Sequence, residues 1–254
     1  MSILAKERNA EKAIFRSPVN FGCGIMVFLK DNWWKLAGVI LLAYIIMGGL
    51  LFEVPRLPVL HETIRNIYFH VGMWFGMIFI LAVALVFSIR FLLYGSLDDD
   101  AKAFSAVRVG LLFGTLGLLT GMLWARFTWG SFWVNDPKLN GALVGMLTYL
   151  AYLVLRGSVD ESEKRARLAA VYNVFAFVLY FVFIMIIPRL ASASIHPGIT
   201  GNPALSTGDL APEMRIVFFP AMAGWFIMAW WLFSIQYRSM KLNQKIQEII
   251  ENQE

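Results

Sequence analysis

IYFHVGMWFGMIFILAVALVFSI, residues 67–89, decides what kind of protein this is. Between Arg65 and Arg90 there is no Asp, Glu, Lys or Arg. A helix rises 1.5 Å per residue, so about 20 apolar residues cross the roughly 30 Å hydrocarbon core of a bilayer. A helix of this stretch is apolar all round and has no polar face to turn to water. Working outward, five more runs have the same character, at about Leu36–Phe52, Val109–Ala125, Leu139–Leu155, Leu168–Pro188 and Ile216–Tyr237. The whole chain agrees: 59% of its 254 residues are hydrophobic and 15% charged, against about 25% charged in soluble domains. The expected fold is all-α, a polytopic membrane protein of about six transmembrane helices with a tryptophan-rich segment at its outer surface.

The flanks organise the chain. Residues 1–35 are expected to be a cytoplasmic amphipathic segment, because Lys6, Glu7, Arg8, Glu11, Lys12 and Arg16 leave no apolar core for a signal peptide. Residues 36–237 form the six-helix membrane domain. Residues 238–254 read as a cytoplasmic C-terminal helix, with Leu242, Ile246, Ile249 and Ile250 at helical spacing. Asp98, Asp99 and Asp100 stand before the third run and suit N-capping and the helix dipole rather than a metal.

Several functions are excluded. Cys23 is the only cysteine, so no intrachain disulfide forms. Without Cys-x-x-Cys-His the chain holds no covalent c-type haem. Without a Gly-x-x-x-x-Gly-Lys-Ser/Thr loop it is no ATPase subunit. The net charge of +5 is spread between apolar runs, as in membrane flanks, and does not indicate nucleic acid.

Lysine and arginine set the orientation. With both termini cytoplasmic, sixteen of the 22 basic residues fall inside. Arg56, Arg65, Arg126, Lys138, Arg189 and Arg215 are the six that fall outside. The other residues were not used to choose this orientation, and all three histidines, His61, His70 and His196, land on the outer side. So do Trp124, Trp129, Trp133 and Asp136. Neutral imidazole ligates haem iron and zinc alike. Zinc wants three or four protein ligands, and carboxylates and thiols are sparse near these histidines. Two histidines from separate loops would give a six-coordinate haem. Each has a plainer reading too: His61 as an interfacial residue, His70 as helix packing beside Met73, Trp74 and Met77. Were the second outer loop helical, Trp129, Trp133 and Asp136 would share one face at i, i+4 and i+7, an aromatic shelf along the membrane surface. Interfacial anchoring alone also places tryptophan there.

The run TGMLWARFTWGSFWVND, Thr120 to Asp136, resembles the tryptophan-rich WWD signature of the cytochrome c assembly protein family. Tyr68-Phe69-His70-Val71 resembles that family's first outer histidine, and His196 stands where its second would be. Length and six-helix topology are most similar to its CcmC-like, haem exporter members, from roughly Ile64 to Trp231. The run departs from the usual pattern: Asn135 replaces an aromatic before the acid, and Pro137-Lys138 follow it where a small residue and Arg are usual.

The resemblance implies a haem-handling protein of cytochrome c-type biogenesis in the bacterial inner membrane. His70 and His196 would be the axial ligands, metal-binding through the haem iron. Trp124, Trp129, Trp133 and Asp136 would form the platform, with haem b bound non-covalently and transiently. Delivery would be to a periplasmic CcmE-like haem chaperone, with an ABC transporter pair and a small membrane subunit as further candidate partners. Arg126, Arg189 and Arg215 are outer-side cations suited to haem propionates, or to snorkelling. No triad and no carboxylate pair is placed for catalysis, so no enzyme is expected. The alternative is a permease or scaffold subunit with no haem site, although its helix interiors would be almost uncharged, unlike a transport path.

Overall fold

The computed structural model describes residues 21–191, 194–196 and 210–253. Of the expected N-terminal segment, residues 1–20 lie outside them, and residues 21–35 belong to the first helix. The described residues are helical with no strand: α1 (Phe21–Leu51), a 3-10 turn (His61–Asn66), α2 (Ile67–Tyr94), α3 (Leu97–Trp129), α4 (Pro137–Gly157) and α5 (Ser162–Phe181). A π-helical turn (Val182–Ile186) then leads into the short α6 (Ile187–Leu190), and α7 (Pro212–Glu251) ends the chain. Among the described residues six helical segments are long and apolar enough to cross a membrane. The protein is a multi-pass, all-α membrane protein.

The chain divides into two compact units at Ala37/Gly38. In the described part of the first, Lys35 Nζ donates to Asn32 Oδ1 at 2.5 Å and lies 5.4 Å from the Trp34 ring.

In the second unit α2 is the central element, packed against α3, α5 and α7. Its Met77, Ile80, Leu81 and Ala84 are fully buried among Val107, Phe113, Met146, Tyr149, Tyr180 and Phe233. Lipid tails are as apolar as leucine, so close packing and buried hydrogen bonds hold such helices together. Asn173 Nδ2 donating to Ser88 Oγ at 2.8 Å is one such bond, between α5 and α2. The outer faces carry exposed Val86, Leu93, Leu119, Val154 and Phe175, as lipid contact requires.

The helices run past the apolar runs because their charged ends remain helical. The N-cap of α3 is Ser96, and the three aspartates that the sequence offered as caps occupy its first turn. There they bind partners on their own helix and on others. Asp98 meets Lys102 (2.7 Å), the Tyr237 hydroxyl (2.7 Å) and Lys241 (3.3 Å). Asp99 meets Arg90 (3.2 Å), and Asp100 takes both arms of Arg156. α7 continues unbroken from the sixth apolar run into the C-terminal segment, since no Gly or Pro follows Gly224. Pro220 lies inside it, as membrane helices tolerate.

α4 approaches the π turn closely at Gly141, where a methyl group would run into the Phe183 carbonyl. Backbone cannot step aside as a side chain can, so Gly141→Ala should cost about 1–3 kcal/mol, the usual range for overpacking. Gly157→Ala, with nothing within 4 Å, is the control and should be neutral or slightly stabilising. Thermal denaturation of both variants in detergent checks this; equal midpoints would refute it.

Candidate functional site

The 3-10 turn feeds α2, and one turn into α2 stands His70, 8% exposed. Its Nδ1 lies 3.0 Å from the Gly117 carbonyl oxygen and 3.2 Å from Thr120 Oγ1 on α3. A carbonyl only accepts, so Nδ1 carries the proton and Nε2 keeps a lone pair free for a ligand. α3 leaves room for the ring at Gly121, where an added Cβ would stand 2.6 Å from His70 Cε1. Trp124 and Trp74 meet the imidazole edge-on, at 5.8 and 6.4 Å between centroids. Trp124 is fixed in turn by its indole N–H donating to Thr63 Oγ1 at 3.0 Å.

α3 stops at Trp129. Gly130 takes a left-handed φ of 79°, which glycine adopts without penalty, and its N–H closes the helix on the Arg126 carbonyl. The expected single helical face of Trp129, Trp133 and Asp136 is therefore replaced by a helix end, a loop and a new helix start. Asp136 N-caps α4, with Pro137 in the first turn. Trp129 and Trp133 still reach the same place, brought there by the loop.

Asp136 is 1% exposed. It accepts from Lys138 N (2.8 Å), Ser194 Oγ (2.7 Å) and Ile195 N (2.9 Å). Burial disfavours its charge, but these hydrogen bonds and nearby His196 outweigh it and hold the carboxyl below its usual range. A depressed value means that the tether's contribution is full above the ordinary carboxylate pKa of about 3.9 and fades only as pH falls through the lower folded value. Ser194 Oγ also accepts from His196 N at 3.1 Å. His196 so stands beside Trp129, with 6.1 Å between ring centroids.

His70, His196, Trp74, Trp124, Trp129 and Trp133 line one pocket. Phe75, Ile78, Met122, Ile184 and Met185 make the rest of its wall predominantly apolar. It holds about 1180 Å³ of atom-free space, open solvent at its mouth included. Lys138 and Arg189 are its cations, and Thr128 contributes a hydroxyl.

Four candidates stand apart from this lining. Arg126 donates to the Gly130 carbonyl and lies over Phe132, 5.9 Å from its centroid. Arg215 Nε donates to the Leu210 carbonyl at 3.0 Å. His61 opens the 3-10 turn with a φ of 43°. Asp136 stands behind the wall, holding the His196 segment. Conversely, Trp74 and Lys138 line the pocket without having been singled out. The signals were present: Trp74 is four residues after His70, and Lys138 is two after the motif's acid. Among the described residues no group of three or more His, Cys, Asp or Glu could hold a metal ion, and the pocket lining holds two imidazoles.

The family model described as "Heme exporter protein C" matches residues 18–251. A heme exporter protein C of Bradyrhizobium diazoefficiens is 34% identical over 143 residues, covering 55% of this chain and 52% of that protein. One from Paracoccus denitrificans is 27% identical over 182 residues, covering 70% and 73%. A cytochrome c biogenesis protein CcsA of Prochlorococcus marinus is 39% identical over 83 residues, covering 33% and 26%. The matched stretch thus spans about half the length of the Bradyrhizobium protein and about a quarter of the CcsA protein.

Proposed function

The chain belongs to the heme exporter protein C family, and from that premise we propose that it binds haem between His70 and His196 and passes it to a haem chaperone for cytochrome c maturation. The observation that carries this is that two histidines from separate elements line one tryptophan-walled pocket. Haem asks for three things of a protein: imidazole for its iron, a flat apolar wall for its ring and cations for its two propionates. His70 and His196 meet the first, Trp74, Trp124, Trp129 and Trp133 the second, and Lys138 and Arg189 the third. Arg126 is dropped from the propionate role, because it does not line the pocket.

Haem is cargo here, and its iron supplies two axial positions for the histidines. The Gly117 carbonyl keeps His70 in the tautomer whose Nε2 can bind. The indoles exclude water from the ring face. His196, on a loop rather than within a helix, is the ligand that can be given up when cargo leaves. The proposed setting is a bacterial inner membrane with both termini cytoplasmic and the pocket periplasmic. The acceptor would be a CcmE-like chaperone, with an ABC transporter pair and a small membrane subunit as companions.

The test is the visible spectrum of protein purified in detergent from haem-replete cells. A Soret band with the low-spin signature of two axial imidazoles is expected, and acid–organic extraction should remove all of the haem. Colourless protein that also fails to bind added haem would overturn the reading and favour a permease or scaffold without a haem site.

A further inference from the structure

We propose that Asp136 is the positioning residue for the second axial ligand, an assignment that rests on the haem reading above. Capping explains one of its oxygens: Oδ1 accepts from Lys138 N at the start of α4. A hydroxyl or an amide would serve there equally well. The other oxygen does something a cap does not require. Oδ2 accepts from both Ser194 Oγ and Ile195 N, 58 and 59 residues further along the chain. Ser194 Oγ, its proton committed to the carboxylate, accepts from His196 N. The Ser194–His196 segment is thereby registered on the N-terminus of α4.

Only a carboxylate can do this. It is acceptor-only at both oxygens, and three donors face it: two backbone N–H groups and a hydroxyl. An amide of the same shape must turn its NH₂ toward Lys138 N–H or Ile195 N–H, and neither can accept. Ser194 can rotate its hydroxyl to suit, but a backbone N–H cannot. The site is 1% exposed, so water does not replace the lost bond. Asp136 lines no part of the pocket and acts through His196.

The experiment compares wild type, Asp136→Asn, Asp136→Ser, Ser194→Ala and His196→Ala, purified as full chains in detergent and titrated with haem. Serine still caps α4 but is too short to reach the 194–196 segment as well. Both Asp136 variants should keep haem on His70 yet move from six-coordinate low-spin toward five-coordinate high-spin spectra. Their haem affinity should fall roughly 10–100-fold, the usual effect of losing a ligand's outer-shell partner. Added imidazole should restore the low-spin band, as in His196→Ala. Ser194→Ala, which leaves the cap intact, should shift partway. A folded Asp136→Asn or Asp136→Ser with the wild-type low-spin spectrum overturns the assignment while leaving the haem reading standing. If neither folds, an unshifted Ser194→Ala overturns it. A wild type that takes up no haem overturns both.

Discussion

His70→Ala should leave the purified protein nearly colourless, with haem affinity reduced beyond the roughly 10–100-fold expected for loss of an outer-shell partner. Three features make this position harder to replace than any other in the pocket. The imidazole sits on a rigid spanning helix, and its direction is set by the Gly117 carbonyl at 3.0 Å. The ring is wedged where Gly121 clears space for it and between two indole edges, so no neighbouring side chain can swing into its place. Around the resulting hole the described lining holds one other imidazole, His196. His196→Ala, by contrast, removes a ligand carried on a loop, and His70 should still retain a five-coordinate haem. The expected order of haem content is therefore wild type, then His196→Ala, then His70→Ala. His61→Ala should match wild type, since His61 lines no part of the pocket. Pyridine haemochrome assay of each purified variant gives the order, and equal haem in His70→Ala and wild type would remove His70 from the site. Small-molecule imidazole at millimolar concentration should partly rescue His70→Gly, because the vacated volume is bounded by rigid helices.

The path from sequence to this pocket was clear where a residue's fate depends on its own neighbourhood and obscure where it depends on a distant partner. Hydropathy located all six spans, since a bilayer demands length and apolarity of each segment separately. Orientation by basic residues put His70, His196 and the tryptophans on one side, and in the structure they line one pocket. The single-faced aromatic shelf depended on a helical loop, and the helix instead closes at Gly130. Yet Gly130 followed by Asp136-Pro137 is a stop and a start that local rules describe. The role of Asp136 was not available locally, because its partners Ser194 and Ile195 come from beyond two further spans. The same holds for Asp98, Asp99 and Asp100: spacing suggested caps, whereas the partners Arg90, Arg156 and Lys241 lie on three other helices. Which arginine meets the pocket turns on small differences of helix phase. Arg126 and Arg189 look alike in sequence, and only Arg189 lines the wall.

Asp100→Ala should be the most destabilising single change at the other end of the bundle, by about 3–5 kcal/mol, the range found when one partner of a buried ion pair is removed. Asp100 and Arg156 each leave 11% of the side chain exposed. Their two hydrogen bonds, at 2.7 and 2.5 Å, join the first turn of α3 to the last turn of α4. The guanidinium also lies 4.4 Å above the Phe104 ring centroid. Removing the carboxylate strands a desolvated cation beside that ring and the Tyr152 hydroxyl, with no charge opposite it from Asp100. The cost comes from the stranding rather than from the loss of attraction, so the double variant Asp100→Leu with Arg156→Leu should recover most of the stability. Chemical or thermal unfolding in detergent measures both. A loss under about 1 kcal/mol in Asp100→Ala, or a double variant no better than the single, would show that the pair is effectively solvated. The same proteins separate stability from haem binding. Asp100 and the Gly117 carbonyl are seventeen residues apart on one helix, roughly 25 Å, so the folded fraction of Asp100→Ala should keep the wild-type Soret position. A shifted band would mean that the two ends of α3 are coupled, and that the aspartate cluster bears on the pocket as well as on the fold.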